Sequence, residues 1–226
     1  MTPLVLLHGL STTPEVWAAV QTGRETLAPE LPVHESMDAI ATALLDKLPP
    51  RFALAGFSLG GYVALAMLAS APQRIERLAL ISTSASADTP EASAYRERLI
   101  ALAQSGRYEA IDAKMAPFLV HPQRAGDTAI IELRQRMAAT YGSERYVAHQ
   151  RASSARPDRH GLLETFTAPA LVVVGREDRV TPLALSEQMA RRLPAAELVV
   201  LEQCGHLSPV EAPEALGVAL RRLLDS

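Results

Sequence analysis

A serine flanked by glycines is the residue in this chain whose setting most favours chemistry. Residues 56–60 are GFSLG, which fits the pattern G-x-S-x-G around Ser58. An apolar segment, 52–55, precedes the pattern and an uncharged helical pattern follows it, so we predict a sharp turn from a strand into a helix. Such a turn holds the serine hydroxyl clear of the sheet, at the positive end of a helix. We therefore predict Ser58 as a catalytic nucleophile.

A serine hydroxyl is a weak nucleophile until a base accepts its proton. A histidine on a loop after a late strand meets that need, and His206 follows the apolar segment 198–201. His8 ends the first predicted strand beside a glycine, which favours a structural role. The remaining histidines follow a short strand or fall in a long helical segment, where packing or solvated positions are expected: His34, His121, His149 and His160.

The base needs an acid that fixes its tautomer and stabilises its charged form. Residues 175–182, GREDRVTP, follow the apolar segment 171–174 and contain two candidates. We predict Asp178 as the acid and keep Glu177 as the alternative. The catalytic groups then occur along the chain in the order serine, aspartate, histidine.

Charge that develops on a carbonyl oxygen during acyl transfer needs donors that are already in place. We predict the backbone N–H of Leu59, the residue after the nucleophile, as one donor. The second donor is expected from the loop after the first strand, residues 8–11, and we choose the N–H of Leu10. The alternative is that this loop is a tight turn with no part in the reaction.

The elements that must position these groups follow from the apolar pattern. Short segments that are apolar on both faces and bounded by Gly, Pro or Ser are typical of strands in a covered parallel sheet. Amphipathic helical patterns alternate with them, which predicts an α/β fold: a mostly parallel sheet of about six strands covered by helices on both faces. The predicted strands are residues 4–7, 27–31, 52–57, 77–82, 171–175 and 198–201.

One connection is far longer than a crossover helix requires. About 90 residues separate Ile81 from Leu171, and they show several helical patterns. We interpret residues 87–160 as a helical lid inserted over the sheet, with residues 1–86 and 161–226 forming the core. A small second hydrophobic domain is the alternative.

Composition excludes several classes of protein. The chain has 226 residues, a formal net charge of 22 − 25 = −3 and one cysteine, Cys204. It therefore lacks the basic footprint of a nucleic-acid-binding protein and cannot form an intrachain disulfide or a cysteine-built zinc site. No segment approaches the length of a membrane span, and the first residues do not resemble a signal peptide, so we expect the cytoplasm.

Together these motifs resemble the α/β-hydrolase superfamily, and in particular its small, lid-bearing serine hydrolases. The resemblance covers nearly the whole chain, through residues 4–10, 52–70, 171–182 and 198–212 and the helical insertion. It implies a small-molecule ester or lactone as substrate, with no cofactor, no metal, no nucleic acid and no membrane as partner. The oligomeric state stays open.

Two departures from the family pattern stand out. The family often begins with a two-stranded hairpin before the His-Gly strand, whereas this chain begins at that strand, which favours a sheet of six strands. The family often has Pro-Gly-His-Gly after its second strand, whereas residues 31–36 are LPVHES.

The functional hypothesis is a serine esterase that cleaves a small or medium carboxylic ester or lactone through an acyl-enzyme. A lyase of the menaquinone-pathway synthase type is one alternative, although such enzymes usually carry Arg where Tyr62 follows the two glycines. A non-catalytic ligand-binding homologue is another. Four residues are candidates for substrate contact, each with core, lid-core or salt-bridged roles as alternatives: Trp17, Met115, Phe118 and Arg156.

Overall fold

A single parallel sheet organises the molecule. The computed structural model describes residues 2–226, and within them six strands pair in the order β2-β1-β3-β4-β5-β6. Every pairing is parallel, so the predicted α/β class, strand number and strand direction are confirmed. The strands are β1 (Leu4–Leu7), β2 (Thr26–Leu27), β3 (Phe52–Phe57), β4 (Ile75–Ile81), β5 (Ala170–Gly175) and β6 (Ala196–Leu201).

Helices connect the strands and fill the segment between β4 and β5. Among the described residues, no helix has both the length and the apolar character needed to cross a bilayer. The helices are α1 (Met37–Leu45), α2 (Leu59–Ser70), α3 (Pro90–Leu102), α4 (Tyr108–Met115), α5 (Thr128–Tyr141), α6 (Ser143–Ser154), α7 (His160–Leu163), α8 (Leu183–Arg192), α9 (Ser208–Glu211) and α10 (Pro213–Asp225).

The core consists of two apolar layers, one on each face of the sheet. Successive strand residues point to opposite faces, so Val5 and Leu7 pack on one side of β1 while Leu4 and Leu6 pack on the other. The first layer is covered by α1, α2 and α8. The second is covered by α10 and by a short helical turn, Pro14–Trp17. Helices cover both faces, as predicted, and they exclude water from the apolar layers on both sides of the sheet.

The second strand is shorter than the sequence pattern indicated. A strand over residues 27–31 was expected, but β2 covers only Thr26–Leu27, which pair with Leu4 and Val5 of β1. Pro29 has no N–H to donate to the ladder, so the chain leaves the sheet before it. The predicted strand was therefore wrong in length and in its end.

The long connection between β4 and β5 is helical, as its pattern predicted. Helices α3 to α6 fall within residues 87–160, and α7 begins at residue 160. Part of this segment has an apolar cluster of its own, which includes Ile100, Tyr108 and Tyr141. Another part, including Val120, packs into the second layer of the core. The segment is therefore anchored to the sheet, and its limits as a lid stay a prediction.

The turn from β3 into α2 packs backbone against backbone. A Cβ atom on Gly60 would lie 2.3 Å from the carbonyl oxygen of Leu7 at the end of β1, and one on Gly56 would lie 2.4 Å from the carbonyl oxygen of Gly60. Neither contact has a flexible side chain that can move aside. Only glycine lets α2 begin this close to β1.

We therefore expect Gly60→Ala to lower the free energy of unfolding by about 1–3 kcal/mol or more, because β1 and α2 must separate to admit a methyl group. Chemical denaturation followed by circular dichroism measures the change. Gly126→Ala is the matched control, since a Cβ there meets nothing within 4 Å, and its effect should stay within about 0.5 kcal/mol. Equal stability of the two variants would contradict the close packing.

Candidate active site

Ser58 sits at the sharp turn that the sequence predicted. Its backbone has φ 53° and ψ −115°, which places a non-glycine residue in a sparsely populated region. Two hydrogen bonds hold it there: Ser58 N donates to the carbonyl of Ile81 at 2.9 Å, and the Thr83 hydroxyl donates to the carbonyl of Ser58 at 2.8 Å. The end of β4 therefore fixes the serine at the start of α2.

The three residues proposed for proton transfer meet at one edge of the sheet. His206 Nε2 lies 3.0 Å from Ser58 Oγ, and His206 Nδ1 lies 2.9 Å from Asp178 Oδ2. His206 and Asp178 are 4% and 5% exposed, whereas Ser58 is half-buried. The side chains come from loops at the carboxyl ends of β6, β5 and β3, which a parallel sheet brings to the same edge.

The carboxylate of Asp178 is held by its own loop. Its Oδ1 accepts from the backbone N–H groups of Val180 and Thr181 at 2.9 and 2.8 Å, and its Oδ2 accepts from the Thr181 hydroxyl at 2.7 Å. Burial alone raises the pKa of Asp178, but the charge of His206 and these hydrogen bonds outweigh it. The pKa therefore lies below its ordinary value, and the carboxylate stays ionised beside the imidazole.

Two further carboxylates hold the backbone of the histidine loop. Glu177 Oε2 accepts from the N–H of Cys204 at 3.0 Å, and Glu211 Oε1 accepts from the N–H of Gly205 at 3.1 Å. The other oxygen of Glu211 accepts from the N–H of His121 at 2.6 Å. Glu177, the alternative acid, thus faces backbone, and Asp178 is the carboxylate that reaches the imidazole.

Two residues were predicted to supply oxyanion donors, Leu59 and Leu10. Leu59 is the first residue of α2, where an N–H has no acceptor within the helix. Leu10 follows β1 and lines the same cavity as Ser58. His8 directly follows β1 and is fully buried. Its ring accepts a hydrogen bond from the N–H of Leu31 at 3.2 Å, which fits the structural role expected for it.

A cavity of about 270 Å³ adjoins Ser58 and His206. Core residues such as Leu10 and Phe57 form part of its lining, and residues of the helical segment 87–160 form the rest. The exposed surface of the lining is mostly apolar, although eight of its 19 residues are polar or charged, and a mainly apolar surface with placed polar groups is usual for a small-molecule site. The arrangement can hold a small acyl group next to the serine hydroxyl.

Of the four residues expected to contact substrate, the structure brings only Met115 to the cavity. Trp17 is 4% exposed and packs edge-on against Phe57 in the second core layer, because the turn that carries it closes over the sheet. Phe118 is 49% exposed, with the guanidinium of Arg179 over its ring. These two residues therefore lie outside the cavity lining.

Arg156 is also absent from the lining. Its Nη1 donates to Asp88 Oδ1 at 2.5 Å and its guanidinium lies 4.1 Å from the ring centre of Tyr62. A carboxylate and an aromatic face already engage it, so the salt-bridged alternative describes its position.

Several polar residues of the cavity wall were not anticipated. They include Arg134 and Asp112, which form a buried ion pair. A signal was present in the sequence, since Arg134 lies four residues after Ile130 and three before Met137, on the buried face of α5. A charged residue on an apolar face marks a buried polar site.

Comparisons with known proteins show the family and the fold. The model of a family described as the alpha/beta hydrolase family matches residues 4–217. A pimeloyl-[acyl-carrier protein] methyl ester esterase from Aromatoleum aromaticum is 31% identical, over 96% of each chain. A solved esterase from Thermogutta terrifontis, with malate bound, is 28% identical with a TM-score of 0.85, over 100% of this chain and 90% of its own. An enol-lactonase from Burkholderia xenovorans, 21% identical, shares the fold with a TM-score of 0.88, over 100% and 92%.

We expect Thr181→Val to lower the free energy of unfolding by about 1–3 kcal/mol near neutral pH, because the Asp178 carboxylate loses a hydroxyl donor. The pKa of Asp178 is lowered in the folded state, so its stabilisation is complete above its ordinary value, about pH 4, and is lost as pH falls through the lowered value. The loss in free energy of unfolding caused by Thr181→Val should therefore become smaller as the pH falls and Asp178 is protonated.

Urea denaturation at neutral pH and below pH 3 measures this dependence. Thr165→Val is the control, since that hydroxyl is exposed and donates to the carbonyl of Leu162. Its effect should be small and independent of pH. A deficit of Thr181→Val that is the same at both pH values would show that the hydroxyl does not stabilise the ionised carboxylate.

Proposed function

The chain belongs to the alpha/beta hydrolase family and is a carboxylic ester hydrolase, and we propose that it cleaves a small or medium carboxylic ester or lactone through an acyl-enzyme on Ser58. One observation carries this proposal: a single imidazole bridges the hydroxyl of Ser58, at 3.0 Å, and the carboxylate of Asp178, at 2.9 Å. This arrangement is the one that acyl transfer to a serine requires.

In the acylation half of the proposed reaction, Ser58 Oγ attacks the ester carbonyl while His206 Nε2 accepts its proton. Asp178 accepts a hydrogen bond from Nδ1 and stabilises the imidazolium that forms. The backbone N–H groups of Leu10 and Leu59 are proposed to hold the oxyanion. His206 then returns the proton to the leaving alcohol, and the acyl group stays on Ser58.

The second half of the reaction repeats these roles with water. His206 removes a proton from a water molecule, the hydroxide attacks the acyl carbonyl, and collapse of the second oxyanion releases the acid and restores the hydroxyl of Ser58. No step requires a group beyond these residues and water.

We propose that residues 87–160 act as a lid over this site, with residues 1–86 and 161–226 as the core. Support comes from the cavity, whose lining combines Ser58 and His206 of the core with residues of α3, α4, α5 and α6. A substrate in this cavity would touch both parts, so the helical segment would set the shape of the acyl site.

Ester hydrolysis is favoured over elimination by two observations. The relative from Aromatoleum aromaticum is named as an esterase for a methyl ester. The position where synthases of the elimination type usually carry arginine is Tyr62, and its ring is covered by Arg156 rather than turned toward the cavity lining. Turnover of simple p-nitrophenyl esters separates the two activities.

We also propose a location and a class of partner. The single cysteine suits a reducing compartment such as the cytoplasm. The slightly acidic charge offers no attraction for nucleic acid, and the proposed partner is a small-molecule ester or lactone.

A fluorophosphonate probe should label the wild-type protein on Ser58, because the activated hydroxyl attacks phosphorus as it would a carbonyl. Labelling is measured by intact mass and peptide mapping. Ser58→Ala should take no label, whereas Ser11→Ala should still be labelled, since Ser11 lines the same cavity but receives a hydrogen bond from Tyr108 instead of facing the imidazole. A folded wild-type protein that takes no label would defeat the proposal.

A further inference from the structure

The part of the cavity wall that α3 to α6 contribute carries polar side chains that the proposed reaction does not use. Arg96, Asp112, Arg134, Tyr146 and Gln150 all line the cavity that holds Ser58. Polar groups in a largely apolar cavity cost free energy unless they are paired, so each needs a partner or a ligand. Their hydrogen bonds show which donors have no acceptor among the described residues.

The first unpaired hydrogen-bond donor belongs to Arg134. Its Nη2 donates to Asp112 Oδ1 and the side chain is only 3% exposed. Its Nε–H is buried and has no hydrogen-bond partner among residues 2–226. The guanidinium lines the cavity and Nη2 is its paired nitrogen, so an unpaired N–H on its cavity side can donate to an acceptor on a ligand.

A directional chain of hydrogen bonds identifies the second donor that has no acceptor. Asp88 Oδ2 accepts from Arg96 Nε at 2.6 Å, Arg96 Nη1 donates to Gln150 Oε1 at 2.5 Å, and Gln150 Nε2 donates to the hydroxyl oxygen of Tyr146 at 2.8 Å. A guanidinium only donates, so it fixes which way the amide of Gln150 faces.

The hydroxyl of Tyr146 therefore accepts from Gln150, and its own proton has no acceptor among the residues that the structure describes. Burial raises the pKa of Tyr146 to about 12, so the hydroxyl keeps that proton at physiological pH. A neutral hydroxyl in the cavity lining thus offers a second donor.

The charges at and next to this wall favour an anion: Arg96, Arg134 and Asp112 line the cavity, and Asp88 and Arg156 lie outside the lining. Asp88 is shared by Arg96 and Arg156, at 2.6 and 2.5 Å, so two guanidinium groups meet one carboxylate. The charges of Arg134 and Asp112 cancel each other. The cluster as a whole therefore carries a formal charge of one positive unit, beside two unused donors.

Resting on the proposed esterase activity, we propose that the acyl part of the substrate carries a free carboxylate, which Arg134 and Tyr146 bind at this wall. The substrate class is then a monoester of a short dicarboxylic acid. A carboxylate only accepts hydrogen bonds and is negative, so it matches both the donors and the charge. A cavity of about 270 Å³ lies at the small end of ligand sites, which favours a short chain.

The test compares two methyl esters of equal length, one ending in a carboxylate and one ending in a carboxamide. Monomethyl succinate, glutarate and adipate are each paired with the corresponding methyl ester amide. For the preferred length, the wild-type kcat/KM should be roughly tenfold or more higher for the acid, the effect of a hydrogen bond to a charged group. The amide keeps the shape and removes the charge.

Two variants locate the preference. The double variant Arg134→Gln with Asp112→Asn removes the guanidinium without leaving a buried charge unpaired, and it should reduce the ratio of kcat/KM for the acid to kcat/KM for the amide to about one. Tyr146→Phe removes one hydroxyl and should reduce the preference in part. Arg98 is an exposed arginine on α3 outside the cavity lining, so Arg98→Gln removes a guanidinium elsewhere and should leave the preference unchanged.

Three results would overturn the inference: a wild type with no preference for the acid, a preference that survives in both cavity variants, or turnover of p-nitrophenyl esters with none of the dicarboxylic monoesters. Each leaves the esterase proposal standing. Failure of every ester together with failure of fluorophosphonate labelling would defeat the proposed function itself, so the two failures are distinguishable.

Discussion

One constraint governs the structure: an imidazole must lie within hydrogen-bond reach of a hydroxyl and a carboxylate that are far apart in the chain. The parallel sheet meets it, because β3, β5 and β6 all end at the same edge and each strand end starts a loop there. The distances of 3.0 and 2.9 Å on the two sides of His206 are the outcome. Gly60 contributes by letting α2 start against β1, which sets the height of Ser58 above the sheet.

Hydrogen bonds and close backbone packing join the helical segment 87–160 to the loop that carries His206. Leu207 N donates to the carbonyl of Leu119 at 2.8 Å, and a Cβ atom on Gly205 would lie 2.4 Å from the backbone of Val120. Glu211 joins the two from the other side through the N–H groups of Gly205 and His121. The position of the imidazole therefore depends on the same helical segment that lines the cavity beside Ser58.

Much of this arrangement was predictable from the sequence, for a physical reason. Strands of a covered parallel sheet are short apolar segments, and residues 56–60 need glycines at a strand-to-helix turn whatever the substrate is. The same logic placed Asp178 and His206 at strand ends. The end of β2 was missed because Pro29 interrupts a segment whose composition otherwise suits a strand.

The cavity wall was not predictable in the same way. Side chains on the helices between β4 and β5 point where packing directs them, and a single sequence does not fix that packing. Trp17, Phe118 and Arg156 are the kinds of residue that contact substrates, yet they pack on Phe57, Arg179 and Asp88 instead. Thr181 and Glu211 act through hydrogen bonds whose partners are known only once the loops are folded.

The most direct test of the central claim, that the three side chains act as one proton-transfer unit, is the turnover of Asp178→Asn beside Glu177→Gln. Both carboxylates are adjacent in sequence, but only Asp178 reaches the imidazole, while Glu177 accepts from the N–H of Cys204. We predict that kcat falls by roughly 10³–10⁴ in Asp178→Asn and by less than about threefold in Glu177→Gln, which keeps an acceptor oxygen. A loss under tenfold in a folded Asp178→Asn protein would contradict the account.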